Sequence, residues 1–295
     1  MKEYSKGRKP FANTEEEEKY YIGSEWFKKR KPGISVMMRC YNEEEWIGPV
    51  LESILPFMDE IVIAYTEGGD RTRRIIESFD SPKIRICEYP FKIDVNNKDY
   101  CSVHNISYFS NWGLAKTSYS HASIWDADMI MIPKFCNKKF YDFVLSKNVV
   151  RIFGINVATP DFAYMSKIHP YAGKWDVRFI KLNKHTFYEC TKIEYEEWSY
   201  RGIPQLLNPL RWFTNTSAQI QRIKNGLMRQ DVKVEDAVYL HTKPLKIKYG
   251  EQTKDKYTDF GQYKKYEWYL DVANQGKKID IEIPDFVAKI PEDYL

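Results

Sequence analysis

The sequence lacks a long hydrophobic run, a paired-cysteine motif and a secretion signal. Every apolar stretch falls well short of the roughly 20 residues that a membrane-spanning helix needs, so no transmembrane segment is predicted. The five cysteines are an odd number without a CxxC pair, which argues against a disulfide framework or a zinc site and favours reduced thiols. Because the first residues, "MKEYSKGRKPFANTEEEEKYY", lack an apolar signal-peptide core, a cytoplasmic location is expected.

The net charge is also small, only +4 over 295 residues, because basic and acidic residues nearly balance. That value is too small for the basic footprint of a nucleic-acid binder, and no nucleic-acid partner is expected. It does suit a protein with anionic ligands such as phosphates. Aromatic residues, in contrast, make up 16% of the chain, which is too many for a disordered protein and favours pockets walled by rings.

Four apolar, β-rich runs alternate with helical patterns in the first half of the chain: "ISVMMRCYN", "DEIVIAYT", "PKIRICEYP" and "HASIWDADMIMI". This alternation predicts an α/β fold with a mostly parallel sheet and helices on both faces. Further strands ("VVRIFGINVAT", "WDVRFIKLN", "CTKIEYEEWSY"), an amphipathic helix ("NTSAQIQRIKNGLM") and a late short strand or loop ("AVYLHTKPLK") follow more loosely. The predicted division is a charged arm (1–31), a strand–helix half (32–140), a second half of the same domain (141–250) and a C-terminal extension (251–295).

Polar side chains cluster where the predicted strands end. In a parallel α/β sheet, ligands bind outside the carboxyl ends of the strands, so these side chains are expected to surround one crevice. Helix capping is the alternative role for Asn42 with Glu43, and for Asp70. The residues concerned are Arg39, Tyr41, Asn42 and Glu43 after the first strand, Thr66, Glu67 and Asp70 after the second, and Asp126 and Asp128 in the fourth.

The acid pair in "IWDADMIMI" is unusual for a strand interior. On an extended strand Asp126 and Asp128 would point to the same side, where like charges repel unless a cation lies between them. Mg²⁺ and Mn²⁺ take oxygen ligands and complete their shells with substrate phosphates, so the pair predicts a metal–diphosphate site. The alternative is a strand-end pair that simply faces water.

The order and spacing of "ISVMMRCYNEEEWI", "IVIAYTEGGDRT" and "NWGLAKTSYSHASIWDADMI" resemble the GT-A glycosyltransferases, particularly the family two group and its relatives. The resemblance covers residues 33–132. It implies a GT-A type, Rossmann-like sheet and an enzyme that transfers a hexosyl or pentosyl group. The donor would be a nucleotide-diphosphate sugar, the acceptor a hydroxyl on a carbohydrate or glycan, and the cofactor Mn²⁺ or Mg²⁺. Residues 32–140 would bind the donor and residues 141–250 the acceptor.

The resemblance also assigns roles to individual residues. Tyr41 would stack on or flank the base with Arg39 beside it, and Asp128 would hold the metal that bridges the diphosphate. A late histidine in "DAVYLHTKP", His241, would join the metal or diphosphate, although a structural role is the alternative. The implied nucleotide-binding set is Arg39, Tyr41, Glu43, Thr66, Glu67, Asp70, Asn105, Asn111 and Asp126, and the implied metal set is Asp126, Asp128 and His241.

The sequence departs from the family pattern at the acceptor base. The Glu-Asp pair of inverting relatives is absent, and "NPLRWFTNT" stands in its place. The nearest carboxylates, Asp176, Glu194 and Glu196, are therefore the candidate bases, although a solvated acidic strand edge is the alternative for each. On one extended strand Glu194 and Glu196 would share a face. Inverting and retaining stereochemistry both stay open.

Two other functions stay open from the sequence. A nucleotidyltransferase would be expected to carry a glycine-rich, basic phosphate loop after the first strand, whereas "RCYNEEEW" is acidic and free of glycine. A catalytically silent nucleotide- or carbohydrate-binding module is the other candidate, because the Glu-Asp pair is missing. Three tryptophans, Trp175, Trp198 and Trp212, would suit an acceptor sugar or an ordinary core.

Overall fold

The structure is a computed structural model that describes residues 14–22, 28–97, 99, 102–159, 161–165, 171–183, 186–192, 195–200, 231–242 and 277–295. Its strands are β1 (Lys31–Cys40), β2 (Glu60–Tyr65), β3 (Ile84–Glu88), β4 (Tyr119–Ile124), β5 (Met129–Met131), β6 (Val149–Asn156), β7 (Tyr164–Met165), β8 (Tyr171–Lys181), β9 (Thr186–Lys192), β10 (Tyr195–Tyr200), β11 (Asp231–Lys233), β12 (Tyr239–His241) and β13 (Lys277–Lys278).

Five α-helices and three short 3₁₀ turns lie among these strands in the described part of the chain. The helices are α1 (Glu15–Glu18), α2 (Ile47–Ile54), α3 (Thr72–Ser78), α4 (Ile106–Lys116) and α5 (Lys138–Leu145), and the 3₁₀ turns are Pro133–Phe135, Asp285–Ala288 and Pro291–Tyr294. None of these helices is both long and apolar enough to cross a membrane.

The first half of the large sheet is parallel. β1 lies between β2 and β4, and β3 pairs with the outer edge of β2. Along β1 the side chains alternate between two buried clusters: Val36 and Met38 pack on the side of α2, α3 and α5, while Met37 packs on the side of α4. A strand covered on both faces needs a continuous apolar run, which "ISVMM" supplies. The predicted α/β sheet with helices on both faces is confirmed.

The second half makes the sheet mixed. Its order is β3-β2-β1-β4-β8-β6-β12-β5, with β11 also beside β6. β8 is antiparallel to both β4 and β6, whereas β12 is parallel to β6 and antiparallel to β5. Strands separated by more than 100 residues in the chain, β5 and β12, therefore become neighbours.

Two predicted strands are wrong in their extent. "HASIWDADMIMI" is not one strand, because β4 ends at Ile124 and β5 begins at Met129 after a turn. "CTKIEYEEWSY" spans the two arms of an antiparallel pair, β9 and β10. The expectation that Asp126 and Asp128 share one side of an extended strand is therefore incorrect, because both residues lie in the turn between β4 and β5.

The two ends of the described chain pack onto this sheet. Near the N-terminus, Ile22 is 2% exposed and its amide donates to the hydroxyl of Tyr108 on α4. β1 begins at Lys31, so the pair Pro32-Gly33 lies inside the strand rather than ending the arm. Near the C-terminus, Tyr294 stacks on Phe79 with ring centroids 5.6 Å apart. The predicted helix "NTSAQIQRIKNGLM" lies outside the described residues.

Candidate functional site

A tight turn between β4 and β5 carries the acid pair. The amide of Trp125 donates to the carbonyl of Met37 on β1 (3.1 Å), and the amide of Met129 donates to the carbonyl of Asp126 (3.1 Å). The indole of the fully buried Trp125 donates to the carbonyl of Met129 at 2.6 Å. The turn is thus held from within the core, and it directs Asp126 and Asp128 to the carboxyl edge of the parallel strands.

Asp126 lies between two arginines. Its Oδ1 is 3.2 Å from the guanidinium of Arg39 on β1, and its Oδ2 is 3.3 Å from that of Arg178 on β8. Burial alone would raise the pKa of Asp126, but Arg178 and Arg39 together lower it below its ordinary value. The positive charge that faces this aspartate is therefore supplied by the protein itself.

Arg178 joins two carboxylates. Its side chain is 11% exposed and it contacts Asp126 through one nitrogen and Asp176 through the other, each at 3.3 Å. It also donates to the carbonyl of Ile124, the last residue of β4, at 3.0 Å. Burial lowers the pKa of this arginine, but the facing Tyr239 and the two acids raise it above its ordinary value. Arg178 was missed from the sequence, since "KWDVRF" gives no sign of which acid it will face.

Asp128 lies against His241. β12 pairs with β5 so that His241 is opposite Met129, and Thr242 donates through its amide (2.9 Å) and its hydroxyl (3.2 Å) to the carbonyl of Asp128. The His241 Nε2 is then 3.4 Å from the Asp128 Oδ1, and both side chains are largely buried. The sequence prediction placed these two residues at one site, and the structure brings them together.

Asn156 orients the histidine ring. Its Oδ1 is 2.7 Å from His241 Nδ1, so that nitrogen carries the proton in the arrangement that satisfies this bond. The other ring nitrogen, Nε2, then points its lone pair at the carboxylate of Asp128. Two acceptors that face each other require a proton or a cation between them. Asn156 lies on β6, directly beside His241 in the parallel pairing, and the sequence analysis did not single it out.

These donors fit a divalent cation that takes its other ligands from substrate and water. Neighbouring ligands of one Mg²⁺-sized ion at about 2.1 Å are about 3 Å apart, close to the separation of Asp128 and His241. Among the described residues, no three His, Cys, Asp or Glu side chains form a group that could hold a metal. Asp126 is engaged by two guanidinium groups, so Asp128 and His241 are the members of the predicted metal set that could hold a cation.

The loops after β1 and β2 are joined to each other. Asn42, which has a left-handed backbone (φ 52°), accepts from the amide of Gly69 at 2.8 Å. Asp70 accepts from the amides of Glu44 (3.1 Å) and Thr72 (3.0 Å). Of these bonds, only the one to Thr72, the first residue of α3, resembles the capping alternative, and the N-cap position itself is Arg71. Asn42 bonds to the other loop instead. Both side chains are parts of the frame of the rim.

Other predicted donor residues differ in their accessibility. Tyr41 is 52% exposed immediately after β1, and Glu67 is exposed after β2. Thr66 and Glu43 are half-buried, and their backbone amides are bonded to Cys40 and Thr72. Tyr41 is thus an exposed aromatic side chain at the rim.

The two predicted asparagines of α4 are buried. Asn105 caps the helix by accepting from the amides of Ser107 (2.8 Å) and Tyr108 (3.1 Å). Asn111 bonds the backbone of Tyr188 on β9 through both its amide nitrogen (2.7 Å) and its oxygen (3.0 Å). With 1% and 0% exposure, both belong to the scaffold, and we leave them out of the ligand set proposed below.

The structure describes the side chains of only some of the candidate bases and tryptophans. Asp176 has a half-exposed side chain next to Arg178. Glu194 and Trp212 lie outside the described residues, and only the backbone of Glu196 (in β10) and of Trp175 (in β8) is described. Trp198 is 6% exposed and donates to the carbonyl of Val177 at 3.0 Å, as a core residue would.

Comparison with known proteins gives structural likeness only. No protein-family model and no curated protein matches the sequence. A structure of residues 1–349 of TarS from S. aureus is 14% identical, with 82% of this chain and 81% of that chain covered and a TM-score of 0.41. A galactosyltransferase, LgtC, solved with donor and acceptor sugar analogues, is 9% identical, with 85% and 98% covered and a TM-score of 0.31.

Glucosyl-3-phosphoglycerate synthase from Mycobacterium tuberculosis, solved with Mn²⁺, UDP and phosphoglyceric acid, is 19% identical with a TM-score of 0.30. The match covers 50% of this chain and only 49% of the synthase, so this chain spans about half of that protein. Transferases of the GT-A type are therefore among the structurally similar proteins. Because these TM-scores are below 0.5, the function below is inferred from the residues of the site.

Proposed function

We propose that this protein is a metal-dependent glycosyltransferase that uses a nucleotide-diphosphate sugar. The observation that carries the proposal is the pair Asp128 and His241, which the fold brings to 3.4 Å at the carboxyl edge of a parallel sheet. An acid and an imidazole suit a cation that binds phosphate oxygens, and that edge is where α/β proteins bind nucleotides. The exposed ring of Tyr41 at the same edge supplies a surface for a base.

The side chains of the site would have separate roles in binding the cation and the donor. Mn²⁺ or Mg²⁺, when bound, would stabilise the charge of the leaving diphosphate as a Lewis acid. Asp128 and His241 would hold it, with Asn156 fixing the ring. Arg39 and Arg178 offset the negative charges of Asp126 and Asp176 next to the turn, which reduces the repulsion of an anionic donor. Asp126, kept ionised by these arginines, would accept hydrogen bonds from sugar hydroxyl groups.

Asp176 is the candidate acceptor base whose side chain the structure describes. It is half-exposed and lies 3.3 Å from Arg178, which also contacts Asp126. The contact with Arg178 holds this carboxylate next to the turn that carries Asp126. If transfer inverts the anomeric centre, we expect Asp176→Asn to lower turnover about a hundredfold with unchanged donor affinity, as for a lost general base. Unchanged turnover would assign the base to Glu194 or Glu196.

Calorimetry with nucleoside diphosphates in the presence of Mn²⁺ or EDTA tests the proposal. We expect binding that requires the cation and that weakens about a hundredfold in Asp128→Asn and in His241→Ala. Asp142→Asn is the matched control, since that aspartate pairs only with Lys138 on the surface of α5 among the interactions described. Equal affinity in Mn²⁺ and in EDTA would refute the metal site. Separately, a screen of nucleotide sugars would identify the donor and the anomeric configuration of the product.

A nucleotidyltransferase or a silent binding module would give different results. The loop after β1 presents Glu43 and Glu44 instead of a basic phosphate loop, which disfavours nucleotidyl transfer. Release of pyrophosphate from a nucleoside triphosphate would nevertheless establish that activity. Metal-dependent binding of a nucleotide sugar with no transfer or hydrolysis would establish the silent module.

A further inference from the structure

Tyr239 is a fully buried tyrosine that the proposed chemistry does not use. It is the first residue of β12, two residues before His241, so the two side chains lie on the same side of the strand. Its hydroxyl donates to the carbonyl of Ala172 on β8 at 3.2 Å. The hydroxyl bond ties β12 across β6 to β8, the strand that carries Arg178.

The ring of Tyr239 contacts the parts that hold Asp126. The guanidinium carbon of Arg178 is 5.8 Å from the ring centroid, within the range of a cation–π contact. The ring of Trp125, which precedes Asp126, packs edge-on at 5.7 Å between centroids. The Tyr239 ring therefore touches both the arginine that pairs with Asp126 and the turn from which Asp126 projects.

The backbone beneath the ring leaves no spare room. Gly154 on β6 is directly opposite Tyr239 in the pairing, and a Cβ atom at this glycine would overlap the tyrosine ring. The ring is thus confined between Gly154, Trp125 and Arg178. Two residues further along the same two strands, Asn156 is paired with His241. A displacement of the ring would be passed to both halves of the site.

We propose that Tyr239 is a positioning residue that sets Arg178 against Asp126 and His241 against Asp128. The role in catalysis rests on the proposed function, but the positioning itself does not. Without the ring, the buried guanidinium loses the surface on which it lies, and the turn that carries Asp126 loses the edge-on contact between Trp125 and Tyr239. Both charged pairs would then loosen together, although Tyr239 touches no substrate.

Crystal structures of variants test the positioning directly. In Tyr239→Leu we expect Arg178 to leave Asp126, and the separation of His241 and Asp128 to change by more than about 1 Å. Tyr239→Phe keeps the ring and should retain both pairs. Tyr89→Leu is the matched control, because Tyr89 is equally buried and its hydroxyl also donates to a backbone carbonyl, that of Val103 at 2.6 Å.

A second perturbation moves the ring without removing it and serves if Tyr239→Leu does not fold. Gly154→Ala places a methyl group against the ring, and we expect it to displace Arg178 in the same way. Gly48→Ala is its control: the added Cβ would likewise meet a tyrosine ring, that of Tyr294 near the C-terminus. Arg178 still bonded to Asp126 in both Tyr239→Leu and Gly154→Ala would overturn the proposal.

Ligand affinity gives a separate measurement. Mn²⁺ binding by electron paramagnetic resonance and UDP binding by calorimetry should weaken at least about tenfold in Tyr239→Leu, with Tyr239→Phe restoring them to within about threefold. Tyr89→Leu should lose stability but not affinity. If the unaltered protein binds neither Mn²⁺ nor UDP, the proposed function fails while the crystal structures still decide the positioning. If Tyr239→Leu disturbs both charged pairs but leaves the affinities for Mn²⁺ and UDP unchanged, the positioning by Tyr239 does not matter for the proposed function.

Discussion

At the scale of residues, the orientation of one imidazole decides what the site can hold. His241 has two ring nitrogens, and the bond to Asn156 at 2.7 Å engages Nδ1 so that Nε2 faces Asp128. Metal-binding histidines commonly donate their second N–H to such a partner, which fixes the tautomer and the ring plane. The amide of Asn156 is therefore as much a part of the proposed metal site as Asp128 and His241.

We expect Asn156→Ala to lower Mn²⁺ affinity about tenfold, the lower end of the range for a lost partner of a metal ligand. The imidazole would then rotate and change tautomer without penalty. Titration of Mn²⁺ followed by electron paramagnetic resonance measures the change. Asn137→Ala is the control, since it removes an asparagine that caps α5 and should cost stability alone. An unchanged Mn²⁺ affinity in Asn156→Ala would show that the ring is held by other contacts.

Sequence reasoning singled out the acids, Arg39 and the late histidine but not the other groups around them. Asp126, Asp128 and His241 carry recognisable chemistry at recognisable places in the chain. Arg178, Asn156 and Tyr239 are ordinary residues of ordinary strands, and their roles arise only when β8, β6 and β12 become neighbours. Spacing along the chain does not specify that order.

At the scale of elements, α4 is held at both ends by side chains outside it. Asn105 caps its N-terminus, and Arg30 from the segment before β1 caps its C-terminus. The guanidinium of Arg30 donates to the carbonyls of Thr117 (2.7 Å) and Leu114 (3.3 Å), and burial lowers its pKa to about 10. The arginine stays charged at neutral pH and complements the negative end of the helix dipole.

We expect Arg30→Ala to lower the free energy of unfolding by about 2 to 3 kcal/mol, because carbonyls at the helix end lose a charged donor. Lys28→Ala is the control: Lys28 is exposed, and removing its bond to Ala115 at 3.2 Å should cost less than about 0.5 kcal/mol. Urea unfolding measures both. A loss below about 1 kcal/mol in Arg30→Ala would show that water replaces the guanidinium.

The elements themselves were largely predictable where the pattern is strong. β1 and β2 lie where the sequence places them, because burial on both faces demands continuous apolar residues. The edge strand β3, which is partly exposed, and α4 also lie within their predicted segments. The fourth run was misjudged, since Trp125 and Ala127 continue the apolar pattern through a turn. A turn buried in the core keeps the composition of a strand, so the pattern does not mark it.

At the scale of the whole molecule, stability should depend on pH through His121. This residue of β4 is 3% exposed, with one ring nitrogen 2.9 Å from the carbonyl of Lys147 and the other 3.0 Å from the hydroxyl of Ser120. Burial lowers its pKa below the ordinary 6.5. Above pH 6.5 the imidazole of His121 is neutral in both the folded and the unfolded protein. Below pH 6.5 it becomes protonated in the unfolded chain before it does so in the folded protein, so the free energy of unfolding falls.

We expect the free energy of unfolding to decrease between pH 7 and pH 5, by at most about 1.4 kcal/mol per pH unit from this residue. His121→Gln should remove most of that slope at the expense of some stability at neutral pH. Carboxylates with lowered pKa, such as Asp126 and Glu60, act only below about pH 4, outside this window. Urea midpoints at half-unit intervals of pH measure the slope, and equal slopes in both proteins would contradict the assignment.

The pairing of β5 with β12 also fixes an order of events during synthesis. Asp128 leaves the ribosome more than a hundred residues before His241, and β12 is the last strand of the large sheet along the described chain. The nascent parallel half then has Arg39 and the acids of the turn but lacks both Arg178 on β8 and the imidazole. Bringing such distant residues together is among the slower steps of folding. If the cation binds as proposed, affinity for it appears only with the last docking step, and bound metal in turn favours the completed sheet over any shorter form.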